Sequence, residues 1–194
     1  MDTVMSVIFP LIFIVVFFII FIYSNKKKKE ALKKLSSVLT GNIPGFIFTP
    51  AFSGEYQGFK FSIVLIPAGK STPEYLKISF FKTSSFKLSI SKEGILSNLG
   101  KKIGFLHEVK INDEYFDKEF LVSSNRPDKA MFYINNGSIK DATRELFNAG
   151  FESISINGKL ILIQKPNYTL ERDLEPQNVI SILQKLICMA GALA

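Results

Sequence analysis

The nearest thing in this chain to a catalytic constellation is His107 with Asp113 and Asp117. An imidazole and a pair of carboxylates could act as base and acid in a hydrolytic step, provided the fold brings them within hydrogen-bond reach. Glu114 and Glu119 extend the acidity around Tyr115 and Phe116, which raises a second chemistry, a bound cation. A calcium loop, however, needs a glycine at its sharp turn and a terminal glutamate, and these carboxylates have neither that glycine nor a regular spacing. The simpler expectation is that Asp113 and Asp117 bond turn amides while Phe116 and Phe120 anchor in a core.

Other reactive residue types are scarce. His107 is the single histidine, so a metal site would have to draw its remaining ligands from carboxylates. Cys188 is the single cysteine, which excludes an internal disulfide and a cysteine-rich zinc site; it stands in an apolar helical stretch where a thiol is ordinarily buried. The sequence has no Gly-x-Ser-x-Gly elbow, no phosphate-binding glycine loop and no His-Glu-x-x-His. No catalytic, metal or cofactor-binding residue is therefore expected, and an enzyme is the minority reading.

The first element that must position anything is at the N-terminus. Val4 to Tyr23 carries no charge and is interrupted only by Ser6 and Pro10, and Lys26, Lys27, Lys28 and Lys29 follow Asn25. A bilayer crossing takes about 20 apolar helical residues, so the stretch predicts a transmembrane helix. Met1-Asp2-Thr3 is acidic and no Ala-x-Ala site precedes the lysines, which favours an uncleaved signal-anchor over a removed signal peptide. Basic residues mark the cytoplasmic flank, so the expected placement is single-pass in the cell membrane with the C-terminal domain cytoplasmic. Lys26, Lys27, Lys28, Lys29, Lys33 and Lys34 are the expected membrane-surface residues, their amines meeting anionic headgroups.

Charge argues against nucleic acid. The formal net charge is +7, but residues 1–40 hold six lysines against two acids, and the remainder holds 18 basic residues against 15 acidic ones. Only Arg126, Arg144 and Arg172 are arginines, whereas phosphate gripping and base readout favour that side chain.

Beyond the lysines, Leu32, Leu35 and Leu39 recur at helical spacing, and Gly41, Asn42, Pro44 and Gly45 end the run. That apolar stripe can pack on the domain, lie on a membrane or pair with a second copy. Period-two alternation then takes over in Phe59, Phe61, Ile63, Leu65, in Leu76, Ile78, Phe80 and in Phe86, Leu88, Ile90, predicting strands of an antiparallel meander. Residues 91–119 read as a loop with local turns, followed by a short buried strand at Phe120-Leu121-Val122. Pro127 predicts the first position of a short helix, and a second helix runs from near Ser138 to Asn148, stopped by Gly150. Asn157-Gly158 between Ile154-Ser-Ile156 and Leu160-Ile-Leu162 predicts a hairpin, and Asn178 to Ala190 a final helix.

Gly-Glu-Tyr-Gln-Gly at 54–58 and the run Asp113-Glu-Tyr-Phe-Asp117-Lys-Glu-Phe120-Leu-Val122 resemble a family of uncharacterised bacterial membrane-anchored proteins carrying G-x-Y-x-G and D-x-x-F-D-x-x-F-x-V. The resemblance covers most of residues 45–165 and implies an N-terminal anchor but no activity.

The expected fold class is α+β: an N-terminal transmembrane helix, then a small domain with an antiparallel β meander, a C-terminal β-hairpin and two or three helices. The expected boundaries are a transmembrane anchor at 1–25, a basic juxtamembrane linker at 26–44 and a globular domain at 45–194. The expected function is a non-catalytic protein-binding or scaffolding module. The expected partners are the lipid bilayer and another membrane-associated protein, with a homo-oligomer open and no nucleic acid. The alternatives are a lipid-headgroup or small-ligand binding domain, with a pocket between the meander and the last helix, and an anchored hydrolase.

Overall fold

A computed structural model describes residues 2–44, 49–92 and 107–193; the side chains of residues 2–11, 13 and 17 lie outside that description. Helix α1 (Asp2–Leu35) leads into β1 (Thr40–Asn42), β2 (Ala51–Tyr56), β3 (Phe59–Ile66), β4 (Tyr75–Phe81) and β5 (Lys87–Lys92). There follow β6 (His107–Glu108), α2 (Glu114–Glu119), β7 (Phe120–Ser124), α3 (Pro127–Ile134) and α4 (Gly137–Asn148). The chain closes with β8 (Ser153–Asn157), β9 (Leu160–Pro166), α5 (Leu170–Asp173) and α6 (Pro176–Gly191).

All of these strands belong to one nine-stranded antiparallel sheet in the order β1-β2-β3-β4-β9-β8-β5-β7-β6. The β8–β9 hairpin, local in sequence, is inserted between β4 and β5, so it stitches the two halves of the sheet together. Alternation then decides which face is covered. Phe61, Ile63 and Leu65 of β3, Leu76, Ile78 and Phe80 of β4 and Ile161 and Ile163 of β9 are at most 1% exposed. Fully burying each such side chain is worth about 1.5–3 kcal/mol. They join Leu146 of α4 and Val179, Leu183 and Leu186 of α6 in one core.

The other face carries a row of small side chains in register across the strands: Ser53, Ser62, Ser79, then Leu162, then Ser155, Ser89 and Ser123. Period two therefore separates an aliphatic and aromatic inner face from a serine-rich outer one.

The expected fold class needs correction at the N-terminus. Among the described residues, no helix is long and apolar enough to cross a membrane. The transmembrane helix, the signal-anchor and the single-pass placement with a cytoplasmic domain fall together, because each rested on that span. The end of α1 is instead tied to the domain. Leu32 and Leu35 of α1 and Leu39 just beyond it are 0%, 0% and 4% exposed, and Lys28 donates to Glu74, the residue before β4, at 3.1 Å.

Two local readings also shift. Residues 93–106 of the expected loop lie outside the described residues, but residues 114–119 form α2 rather than loop. The hairpin loop is Gly158-Lys159, one residue later than expected. Gly158 takes φ 91°, and the Asn157 side chain accepts from the Lys159 and Leu160 amides. Asparagine thus acts through its carboxamide and leaves the positive φ to glycine. Finally, the hairpin extends the meander's sheet, with β9 paired to β4 and β8 to β5.

Candidate functional site

The residues that the sequence offers for chemistry are occupied elsewhere. Asp117 accepts from the Ile111 amide at 2.8 Å and the Asn112 amide at 3.0 Å. Asp113 caps α2 by accepting from the Phe116 amide at 3.1 Å, and Lys140 Nζ donates to its other oxygen at 2.7 Å. The Lys140 hydrogen bond, with the Phe116 amide, holds the Asp113 carboxyl below its usual value. His107 is exposed on the edge strand β6, opposite Ser124. The carboxylates therefore organise the turn before α2. Among the described residues, no group of three or more His, Cys, Asp or Glu is placed to hold a metal ion. Cys188 is half-buried in α6, its Sγ 3.8 Å from the Ser138 carbonyl.

The six lysines of α1 have diverging surroundings. Lys28 lies over the Tyr168 ring at 5.8 Å besides pairing with Glu74, and Lys27 lies over Tyr23 at 5.1 Å. Lys26, Lys29 and Lys33 rim a groove with Phe21, Ile22 and Ile43. Lys34 joins Lys27 in a small cleft facing Leu170 and Leu174.

A different place concentrates buried charge. A cleft of about 640 Å³ opens between α4, α6 and the β4–β9 pair, with α5 at its edge. Its floor depends on how α4 ends. Gly150 has φ 92°, its amide donates to the Phe147 carbonyl, and the Phe151 amide donates to the Leu146 carbonyl. This is a Schellman ending, which reverses the chain with a left-handed residue. It leaves the Ala149 carbonyl free to accept from Lys165 Nζ. A Cβ on Gly150 would stand 3.1 Å from Lys165 Cε and 3.2 Å from Nζ, so the lysine fills space that only glycine leaves open.

Lys165 stands on the inner face of β9 in line with Ile161 and Ile163, opposite Leu76. Its Nζ donates to Asp173 Oδ1 at 2.9 Å, with the two side chains 8% and 7% exposed. Asp173 also accepts from the Thr169 amide at 2.8 Å and from Arg172 Nε at 3.0 Å. Burial pushes the Asp173 carboxyl up, but the bonds from Arg172, the Thr169 amide and Lys165 outweigh it and keep the group below its usual value. The Asp173 hydrogen bond in turn raises Arg172. Across the cleft, Lys185 of α6 pairs with Glu145 of α4 at 2.8 Å and donates to Ser181 at 2.9 Å. Leu76, Phe151 and Ile182 supply apolar wall, and Asn148, Asn167 and Asn178 supply amides.

The ligand-binder alternative requires a pocket between the meander and the last helix lined by Phe and Tyr with a few lysines; this cleft has Phe151, Lys165 and Lys185 in its lining and no tyrosine. The signal was present: Lys165 follows Ile161 and Ile163 at a spacing of two, so the strand period carries a lysine onto the inward face. A charge on a core-facing position has to be paired.

No family model matches the chain, and no curated protein matches it. Among solved structures it is similar to the mycobacterial trehalose monomycolate transport factor A, TtfA, with a TM-score of 0.56 and 10% identity, over 87% of this chain and 93% of that one. At that identity the likeness is one of fold.

Proposed function

We propose that this protein is a non-catalytic binding module whose cleft between α4, α6 and the β4–β9 pair takes the polar end of a lipid or lipid-derived ligand. The observation that carries the reading is the cleft itself. A cavity with an apolar wall and a few convergent polar groups is the usual form of a small-ligand site. This one sets Leu76, Phe151 and Ile182 beside Arg172, Lys185 and three asparagine amides. The fold likeness to a protein whose title names a trehalose monomycolate transport factor lends the lipid class support. The proposal contains no bond-making step, and Asp113 and Asp117, the sequence's candidates for such chemistry, hold backbone amides near α2.

The test is thermal melting of the full chain with dihexanoyl phosphatidylglycerol and with octyl glucoside. A ligand at about 100 times its Kd stabilises by about 2.7 kcal/mol, and Ser181→Trp, which places a ring in the cleft, is expected to remove that gain. No stabilisation by either compound, or full stabilisation of Ser181→Trp, contradicts the reading.

Two aromatics favour a second role in protein binding. Tyr115 is 82% exposed and Phe132 87% exposed, and exposed aromatics are enriched at interfaces. Under that reading a Tyr115→Ser, Phe132→Ser pair abolishes cross-linking to a partner while ligand stabilisation is unchanged.

A further inference from the structure

We infer that the group bound in the cleft is an anion of the phosphate type, with Arg172 as its principal contact. This rests on the binding reading above and adds the charge of the ligand to it.

The cleft's charges and its free donors both point to an anion. Lys185 is matched by Glu145 at 2.8 Å, so that pair contributes no net charge. Lys165 and Arg172 both pair with Asp173, at 2.9 and 3.0 Å. Two cations share one carboxylate, and the cleft is left with an excess positive charge where the two meet. Lys165 cannot present it, because its ammonium is buried and spent on Asp173 and the Ala149 carbonyl.

Arg172 can. Its side chain is 65% exposed and meets Asp173 through Nε and Nη2. That side-on pairing fixes the plane of the guanidinium and leaves its Nη1–Nη2 end unspent. The fork geometry of that end suits two oxygens of a phosphate. The main chain is held as well, since Asn178 Nδ2 donates to the Arg172 carbonyl at 2.7 Å. Arg172 is thus fixed at both ends before any ligand arrives, which lowers the ordering cost of binding. Asp173 and Lys165 are positioning residues: they aim Arg172 and touch no ligand.

The source of the anion, a lipid headgroup or free phosphate, is separated by the choice of probes. The full chain is titrated calorimetrically with inorganic phosphate, dihexanoyl phosphatidylglycerol below its micellar concentration and octyl glucoside, at two salt concentrations. The expected result is a preference of at least tenfold for an anionic probe over octyl glucoside, weakened by salt and lost in Arg172→Gln. Arg172→Lys should recover part of it, and circular dichroism of both variants should match the parent. Tighter binding of dihexanoyl phosphatidylglycerol than of phosphate assigns the anion to a lipid, and equal binding assigns it to phosphate itself. Equal affinity for octyl glucoside and the anionic lipid, unchanged in Arg172→Gln, overturns the anion inference and leaves the cleft reading standing. No binding of any probe overturns both.

Discussion

Lys165 Nζ lies 2.9 Å from Asp173 Oδ1, with the side chains 8% and 7% exposed, so a buried charge pair fastens β9 to α5 beneath the cleft. The two partners are not equivalent. Asp173→Leu leaves the Lys165 ammonium with only the Ala149 carbonyl, and breaking a buried pair in this way costs about 3–5 kcal/mol. Lys165→Met costs less, because Arg172 and the Thr169 amide remain on the carboxylate. Urea unfolding should rank the variants in that order, with the double replacement recovering much of the loss; the reverse order would show that Asp173 is not the hub.

Acid should attack the same place. The Asp173 and Asp113 carboxyls both lie below their usual value in the fold, while unfolded aspartate titrates near about 3.9. A depressed folded value means stability that is complete above the unfolded value and is lost as pH falls through the folded one. Melting temperature should therefore drop below about pH 4, and the Asp173→Asn variant should show a flatter acid limb from a lower plateau.

Glu152 should do the opposite. Burial raises its carboxyl, opposed by the hydrogen bond from Tyr75. A raised folded value favours the protonated fold, a contribution present at low pH and lost as pH rises through that value. Glu152→Gln is expected to gain stability relative to the parent at neutral pH and to lose that advantage in acid. Parallel pH profiles for the two proteins would refute the assignment.

The two ends of α4 offer a paired test of glycine. Gly150 has φ 92° and its Cβ position is crowded by Lys165, whereas nothing lies within 4 Å of the Cβ position on Gly137. Gly150→Ala should destabilise by more than about 1 kcal/mol, and Gly137→Ala should be neutral or mildly stabilising. Equal effects would mean that the Schellman turn does not set the cleft floor.

Docking of α1 is checked by Leu35→Ala, at 0% exposure in the core, which should cost about 2–5 kcal/mol. Lys28→Ala removes a pair whose Glu74 partner is 38% exposed, and should cost no more than about 1 kcal/mol. Equilibrium unfolding measures both.

Much of the fold is written in alternation. Phe61-Ile63-Leu65 and Leu76-Ile78-Phe80 announce inward faces, and Asp113 announces a cap. What alternation cannot supply is strand order. That the β8–β9 hairpin lies between β4 and β5 depends on pairings far apart in sequence, which no local period records. The apolar run of α1 misled for a related reason: hydropathy gave it a destination, while the buried Leu32 and Leu35 fix the helix's other end on the domain. The cleft was hidden because its charges come from α4, β9, α5 and α6, and only Lys165 breaks its own local pattern. Asp113 and Asp117 drew attention by their proximity in sequence, yet their oxygens are spent on amides and Lys140.

The most direct measurement is a backbone amide NMR map of the full chain titrated with dihexanoyl phosphatidylglycerol. The account predicts shifts centred on the amides of residues 76, 145–146, 148–151, 165, 167, 172–173, 178, 181–182 and 185, which line the cleft. Shifts centred on Tyr115 and Phe132, or on His107, with the cleft amides unmoved, would contradict it.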